Sequence, residues 1–292
     1  MKFEDVKKLA VIGAGLMGSQ IAQILSQVGA YEVHMVDIND ELVAKGLSNI
    51  EERLDRFFVS KGKMTDDEKD AILSRIQVYT DIDEGVRQAD FIIEAIAENL
   101  SLKKEIFKAF DQLAPRTSIL ASNTSYQNIS ELAFVTKAPE NVLGMHFFNP
   151  VPRMKLVEVV RGARTSVEVL ELACELAKRL GKEPVICRDT SYGFLANRAY
   201  SAMMDETVQM VWERVAPPAE IDKALKLGYN LPMGPLELMD FTGSWSIRVA
   251  SEQDKMRELG PERGRLHPLI RMMYRSGYNS VYKFWEEIMS KW

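Results

Sequence analysis

The chain has 292 residues, of which 46% are hydrophobic and 27% are charged, which excludes a disordered or collagen-like protein. The formal net charge of −5 argues against a general nucleic-acid-binding protein, because such proteins neutralise phosphates with an excess of basic residues. Two cysteines and three histidines are too few for a disulfide framework or a structural zinc site.

The N-terminal two thirds of the chain alternate predicted strands and helices. Short apolar runs typical of buried parallel strands begin at Leu9, Val33, Phe91, Ile119, Val142, Lys155 and Val185. Helical patterns fill the gaps, over residues 16–29, 41–56, 66–75, 102–113 and 165–180. This alternation predicts an α/β fold with a Rossmann-type, doubly wound, mainly parallel sheet.

The pattern changes after about residue 190, where strands give way to helices. A helical pattern covers residues 194–215, Pro217 and Pro218 end it, and helices resume without a clear strand. We therefore expect a dinucleotide-binding domain over residues 1–189 and an all-helical domain for substrate binding and dimerisation over residues 190–292. The sequence offers no signal-peptide pattern and no membrane span, which predicts a cytoplasmic protein without a membrane partner.

A glycine-rich motif connects the first predicted strand to the first helix: Gly13-Ala14-Gly15-Leu16-Met17-Gly18. Gly13 permits a tight turn, Gly15 lets the backbone approach a pyrophosphate, and Gly18 lets the helix pack closely on the strand. Asp37 ends the second strand, about 20 residues further on, where a carboxylate binds ribose hydroxyls and repels a 2′-phosphate. The motif predicts NAD as cofactor; the alternative is a glycine turn that binds nothing, with Asp37 as a helix cap.

His146 and Glu158 form a second candidate site. Each lies six residues from Pro152, so a chain that folds back there places the two side chains opposite each other on neighbouring strands. A carboxylate that fixes the tautomer of an imidazole suits proton-transfer catalysis. A core histidine satisfied by a structural carboxylate fits the spacing equally well.

A polar segment, Ser122-Asn123-Thr124-Ser125, follows the strand that begins at Ile119. Open α/β sheets bind ligands at the carboxyl ends of their strands, so these side chains could hold a carbonyl or hydroxyl group of a ligand. Ordinary turn chemistry also explains them, because Ser, Asn and Thr are common in turns.

Motifs spread over nearly the whole chain resemble the 3-hydroxyacyl-CoA dehydrogenase family, including the bacterial 3-hydroxybutyryl-CoA dehydrogenases. Besides the glycine motif, His146-Phe147-Phe148-Asn149-Pro150 and Glu158, they include Glu94-Ala95-Ile96-Ala97-Glu98-Asn99 with Lys103, Ser122-Asn123-Thr124-Ser125, Gly193-Phe194-Leu195-Ala196-Asn197-Arg198 and Met233-Gly234-Pro235-Leu236-Glu237-Leu238. The resemblance implies NAD-dependent oxidation of an L-3-hydroxyacyl-CoA to the 3-oxoacyl-CoA, by a homodimer whose helical domain closes over the acyl group.

The resemblance also assigns roles to residues. His146 takes the hydroxyl proton, Glu158 orients His146, and Ser125 and Asn197 hold the substrate oxygens, as preorganised donors do for developing charge. The nicotinamide side of the site is lined by Glu98, Lys103, Asn123 and Asn149.

Four segments depart from the family pattern. Ser191-Tyr192 adds a residue and loses a proline, Tyr126 stands where a serine is frequent, and Trp245 lies in an unusual stretch. The usual C-terminal Gly-x-Gly-Phe-Tyr signature is missing. We expect an acyl group that is cyclic, aromatic or carboxylated; neutral variation of loops is the alternative.

A basic edge formed by Arg53, Arg56, Lys61 and Lys63 could contact the phosphates of coenzyme A, with Arg53 and Lys61 as the substrate-binding candidates. A solvated helix face explains these charges about equally well. Two other functions stay open: an NAD-dependent dehydrogenase of a non-CoA hydroxy acid or polyol, and a non-catalytic NAD-binding protein. A phosphate contact at Lys61 or Lys63 separates the first of these from the acyl-CoA enzyme.

Overall fold

The computed structural model describes residues 3–190 and 192–291, so Ser191 of the unusual Ser191-Tyr192 pair lies outside the described residues. The chain divides into two compact units, the first ending at Thr190. Within the described ranges, no helix has both the length and the apolar character that crossing a bilayer requires.

The strands of the first unit are β1 (Lys8–Ile12), β2 (Glu32–Val36), β3 (Ile76–Tyr79), β4 (Phe91–Glu94), β5 (Ile119–Ser122), β6 (Val142–Phe147), β7 (Leu156–Arg161) and β8 (Glu183–Arg188). They form one sheet in the order β3-β2-β1-β4-β5-β6-β7-β8. β6 and β7 pair antiparallel, and the other neighbours pair parallel. The predicted doubly wound, mainly parallel sheet is confirmed.

The helices of this unit are α1 (Leu16–Gln27), α2 (Asp40–Phe57), α3 (Asp66–Ser74), α4 (Ile82–Val86), α5 (Leu100–Leu113), α6 (Ile129–Ala133) and α7 (Val167–Arg179). Their starts follow ordinary capping chemistry. Thr65 caps α3: its hydroxyl accepts from the Glu68 N–H at 3.2 Å, and the Glu68 carboxylate accepts from the Thr65 N–H at 2.8 Å.

The central strands are buried along nearly their whole length, which explains their continuous apolar sequences. Because β1, β4, β5 and β6 run parallel, their carboxyl ends lie along one edge of the sheet. The glycine motif follows β1, and His146 lies near the end of β6. Strand order reverses direction between β1 and β4, the position where doubly wound sheets bind ligands.

Among the described residues of the second unit, all regular secondary structure is helical, as predicted. Its helices are α8 (Ala196–Trp212), α9 (Pro218–Tyr229), α10 (Pro235–Thr242), α11 (Ser244–Ala250), α12 (Glu252–Gly264), α13 (Pro268–Arg275) and α14 (Val281–Glu287). α12 is interrupted at Gly260, whose φ of +77° is non-helical, before Pro261. The helices enclose a core of apolar side chains that includes Val208, Leu236, Leu269 and Phe284.

His267 caps α13 through its neutral imidazole. Its Nδ1 accepts from the Leu269 N–H at 3.1 Å, and its Nε2 lies 2.7 Å from Gln209 Oε1. Since Nδ1 must accept, the proton of the neutral ring is on Nε2, from which it is donated to Gln209. Burial lowers the pKa of His267, more than the nearby Asp205 carboxylate raises it.

Acid should therefore weaken the second unit through His267. A lowered folded-state pKa means that the unfolded chain binds the proton more readily, so the contribution is complete above about pH 6.5 and is lost as the pH falls through the folded value. We expect a loss of about 0.5–1 kcal/mol, the size of a helix cap. Urea unfolding of the wild type and of His267→Asn, at about pH 7.5 and about pH 5, measures this loss. Asparagine caps a helix without titrating, so the urea midpoint should change less with pH in the variant than in the wild type. An equal change in the two proteins contradicts this account.

Candidate active site

The glycine motif forms an open cradle at the start of α1. Gly13 has a φ of +104°, and a Cβ built on it would lie 2.6 Å from the carbonyl oxygen of Ala95. A Cβ on Gly18 would lie 1.7 Å from the carbonyl oxygen of Gly13, so the helix can approach the strand only with glycine there. A Cβ on Gly15 would instead meet nothing within 4 Å.

This open space fits a dinucleotide. Gly15 precedes the first turn of α1 and, lacking a side chain, cannot cap the helix. The amides of Leu16, Met17 and Gly18, in that first turn, are therefore available to an anion at the positive end of the helix dipole. A pyrophosphate supplies both the charge and the acceptor oxygens that this cradle requires.

Asp37 lies directly beside the cradle, at the end of β2. Its Oδ2 accepts from the Ala14 N–H at 2.7 Å, and its Oδ1 accepts from the Ile38 N–H at 2.7 Å. These two bonds fix the carboxylate against the glycine motif, where each oxygen keeps a lone pair for a ribose hydroxyl. The same fixed negative charge disfavours a 2′-phosphate, which supports the choice of NAD over NADP.

His146 and Glu158 stand directly opposite each other in the β6–β7 register, as the spacing about Pro152 predicts. Nδ1 of His146 lies 2.7 Å from Oε2 of Glu158, and the two residues are 4% and 0% exposed. The carboxylate accepts the Nδ1 proton, so Nε2 is the ring nitrogen that exchanges a proton with a ligand. The ring of Phe148 packs against the imidazole, with 4.4 Å between centroids.

The segment after β5 is fixed from both sides. Asn123 Oδ1 accepts from the Phe147 N–H at 2.9 Å, which joins the ends of β5 and β6. The Ser125 N–H donates to Glu98 Oε1 at 2.7 Å, and the Thr124 hydroxyl donates to the same carboxylate at 2.9 Å. Glu98 therefore fixes the backbone of Ser125, the residue that the resemblance assigns to substrate binding.

Lys103 forms a buried ion pair that the sequence analysis did not identify. Its Nζ lies 2.7 Å from Glu94 Oε1 and 3.4 Å from Glu98 Oε2, and the Lys103 and Glu94 side chains are 1% and 0% exposed. Glu94 also accepts from the Ser122 hydroxyl at 2.6 Å and the Ile96 N–H at 2.8 Å. The sequence feature that could have indicated this ion pair is the acidic residue Glu94 at the end of the apolar strand Phe91–Glu94.

The loop between β6 and β7 is held by a second buried lysine, also missed from the sequence. Lys182 donates to the carbonyl oxygens of Val151 and Met154, the latter at 2.9 Å. Burial lowers the pKa of Lys182. This loop carries Asn149, a predicted cofactor contact, so the lysine fixes backbone close to the site.

The two residues predicted to bind the substrate phosphates differ in environment. Arg53 is half-buried against α1, where its Nε donates to Gln23 Oε1 at 2.8 Å and its Nη2 to Ser19 Oγ at 3.1 Å. Lys61 is exposed, with its Nζ 5.6 Å from the centroid of the Phe57 ring. Lys61 thus presents its charge to solvent, whereas Arg53 joins α2 to α1.

Asn197 and Trp245 lie in the second unit, whereas Tyr126 lies in the first. Asn197 lies in the first turn of α8. Trp245 is 5% exposed in the helical core, and its Nε1 donates to Asp240 Oδ1 at 2.5 Å. The Tyr282 hydroxyl donates to the buried Asp222 at 2.5 Å. Trp245 and Tyr282 therefore serve the packing of this unit.

Comparison with known proteins supports one family. The model of the 3-hydroxyacyl-CoA dehydrogenase NAD-binding domain matches residues 8–190, and that of the C-terminal domain matches residues 193–283. A probable 3-hydroxybutyryl-CoA dehydrogenase of Bacillus subtilis is 43% identical over 94% of each chain. A 3-hydroxybutyryl-CoA dehydrogenase of Clostridioides difficile is 41% identical over 92% of this chain and 94% of that one.

The fold agrees with these matches. The crystal structure of (S)-3-hydroxybutyryl-CoA dehydrogenase from Ralstonia eutropha superposes with a TM-score of 0.89 and 39% identity, over 95% of this chain and 99% of that one. Neither the expected unusual acyl group nor the two alternative functions are borne out. The chain belongs to the 3-hydroxyacyl-CoA dehydrogenase family, and the prediction of an NAD-dependent oxidoreductase is confirmed.

Proposed function

We propose that this protein interconverts an L-3-hydroxyacyl-CoA and the 3-oxoacyl-CoA, with the His146–Glu158 pair as its proton-transfer group. The observation that carries the proposal is the 2.7 Å contact between the two buried side chains at the ligand-binding edge of the sheet. The names of the relatives supply the substrate class.

In the oxidation direction His146 accepts the proton of the 3-hydroxyl group on Nε2. Glu158 stabilises the resulting imidazolium through the bond to Nδ1. Bound NAD supplies the acceptor for the hydride that leaves C3, so the alcohol loses one proton and one hydride and becomes a ketone. Ser125 holds a substrate oxygen, and Lys61 contacts the coenzyme phosphates; Arg53 supports that edge from α2.

The residues that would hold NAD follow one edge of the sheet, from Asp37 to His146. The amides that follow Gly15 would bind the pyrophosphate, and Asp37, fixed by the Ala14 N–H, would bind the adenine ribose. Asn123 and Asn149 would line the nicotinamide side. Lys103 is buried, so it acts by placing Glu98, which in turn fixes Ser125.

The direct test follows the absorbance of NADH at 340 nm with acetoacetyl-CoA. We expect rapid oxidation of NADH, slow reaction with NADPH because of Asp37, and little with free acetoacetate, which lacks the coenzyme. Absence of turnover on acetoacetyl-CoA and on longer 3-oxoacyl thioesters, in protein that binds NADH, would overturn the proposal.

Gly15→Ala should separate cofactor binding from folding. The backbone of Gly15 has a φ of −68° and the new methyl group meets no protein atom within 4 Å, so stability should change by less than about 1 kcal/mol. The methyl group would overlap the space that the pyrophosphate needs, which costs about 1–3 kcal/mol and raises the NADH dissociation constant roughly 5- to 150-fold. Titration of NADH fluorescence measures this.

Gly228→Ala is the matched control, because Gly228 lies in α9 and its Cβ also meets nothing within 4 Å. Its NADH affinity should equal that of the wild type. Equal affinities for the two variants would place the pyrophosphate elsewhere.

A further inference from the structure

Gln20, on α1, makes three hydrogen bonds that reach from the cofactor cradle to the β6–β7 loop. Its Nε2 donates to the Leu16 carbonyl oxygen at 3.0 Å and to Asn149 Oδ1 at 3.0 Å. Its Oε1 accepts from the Val151 N–H at 2.8 Å. Gln20 is 3% exposed, so these bonds are made away from competing water.

The protein backbone fixes which way the Gln20 amide faces. The carbonyl of Leu16 can only accept and the N–H of Val151 can only donate, so Nε2 and Oε1 cannot exchange places without losing both bonds. Because Nε2 also faces Asn149, Asn149 must present its oxygen to Gln20. The amino group of Asn149 is therefore directed away from Gln20.

Asn149 needs such an external constraint. It is exposed, and an exposed asparagine can turn its amide over at little cost, because the oxygen and the amino group have nearly the same shape. The adjoining backbone is rigid: Gln20 holds the N–H of Val151, and Lys182 holds its carbonyl. An exposed side chain is thus oriented by a buried one on a different element.

We propose that Gln20 is a positioning residue for the cofactor. It holds the Asn149 side chain so that the amino group of Asn149 can donate to the carboxamide oxygen of the nicotinamide. The inference rests on the proposed function, in which Asn149 lines the nicotinamide side. Through Leu16, in the first turn of α1, the same side chain joins the pyrophosphate end of the site to the nicotinamide end.

The test compares NADH with ADP-ribose, which shares the pyrophosphate but lacks the nicotinamide. Gln20→Glu keeps an acceptor for Val151 and loses the donor to Asn149, whose amide should then turn to donate to the new carboxylate. We expect the ratio of the NADH to the ADP-ribose dissociation constant to rise about three- to tenfold, the worth of one neutral hydrogen bond. Both ligands carry the pyrophosphate, so its repulsion by the added charge weakens both equally and leaves the ratio of their dissociation constants unchanged.

Three further variants make the result specific. In Asn149→Ala protein, Gln20→Glu should change the ratio by less than about twofold, because the residue through which Gln20 acts is gone. Gln27→Glu, the same substitution further along α1, should leave the ratio at its wild-type value. Gln20→Met, which removes the donor without adding charge, should raise the ratio in the same direction and serves if Gln20→Glu fails to fold.

A purely structural role for Gln20 would weaken NADH and ADP-ribose equally, and that result, or no change in either, overturns the inference. A response that persists in Asn149→Ala protein overturns it too. The outcome is independent of the substrate: if the wild type turned over no thioester while the ratio still depended on Gln20 and Asn149 together, the proposed reaction would fail and the positioning role would stand.

Discussion

Replacement of His146 by glutamine should lower kcat for acetoacetyl-CoA reduction by about 10²- to 10⁴-fold, the range typical of general acid–base groups. Glutamine retains a polar group opposite Glu158 but cannot transfer a proton near neutral pH. The NADH dissociation constant should change by less than about threefold, since the cradle after β1 is untouched. Steady-state kinetics with saturating NADH and fluorescence titration give the two quantities separately.

Two variants sharpen this result. Glu158→Gln keeps an acceptor for Nδ1 and removes the negative charge that stabilises the imidazolium, so kcat should fall by about ten- to hundredfold, the worth of a charge-assisted bond. His34→Gln is the control, because His34 is also a buried strand histidine but lies in β2, outside the proposed proton-transfer pair. Its ring bonds to the Gly85 carbonyl and lies 3.3 Å from Glu32 Oε1. If His146→Gln kept kcat within a few-fold of the His34→Gln value, the pair would be structural.

The fold could be predicted from the sequence wherever a strand is buried along its whole length. Strands β1, β4 and β6 are covered on both faces and appear as apolar runs, and their predicted positions agree with the structure within a few residues. β3 was missed because it is an edge strand in which only Ile76 of four residues is buried. The five-residue helices α4 and α6 are too short to show a helical repeat.

The site could be predicted from the sequence where its residues lie close together in the chain. The glycine motif lies within six residues, and His146 and Glu158 meet because one loop reverses the chain between them. Gln20 lies 129 residues from Asn149, and Glu94 lies 28 residues from Ser122. The local pattern does not say which residue each of these side chains contacts, because their roles depend on which distant element the fold brings against them.

Glu94→Gln should lower the free energy of unfolding of the first unit by about 3 kcal/mol or more, since it leaves the ammonium group of a lysine with 1% side-chain exposure short of its main counter-charge. Glu98 is further away, at 3.4 Å, and its side chain is 30% exposed, so it compensates only in part. Glu175→Gln removes one member of an exposed pair with Lys178 and should cost less than about 0.5 kcal/mol. Urea unfolding followed by far-ultraviolet circular dichroism compares the two.

The double variant Glu94→Gln/Lys103→Met decides whether the ion pair itself is responsible. Removal of both charges leaves no uncompensated ion in the interior, so the double variant should be more stable than either single variant, with a coupling of roughly 1–3 kcal/mol. Its NADH and thioester kinetics should nevertheless be impaired, because Lys103 no longer holds Glu98 beneath Ser125. Recovered stability without recovered turnover would show that the buried pair supports the site through geometry; additive losses of stability would show that Glu94 and Lys103 act independently.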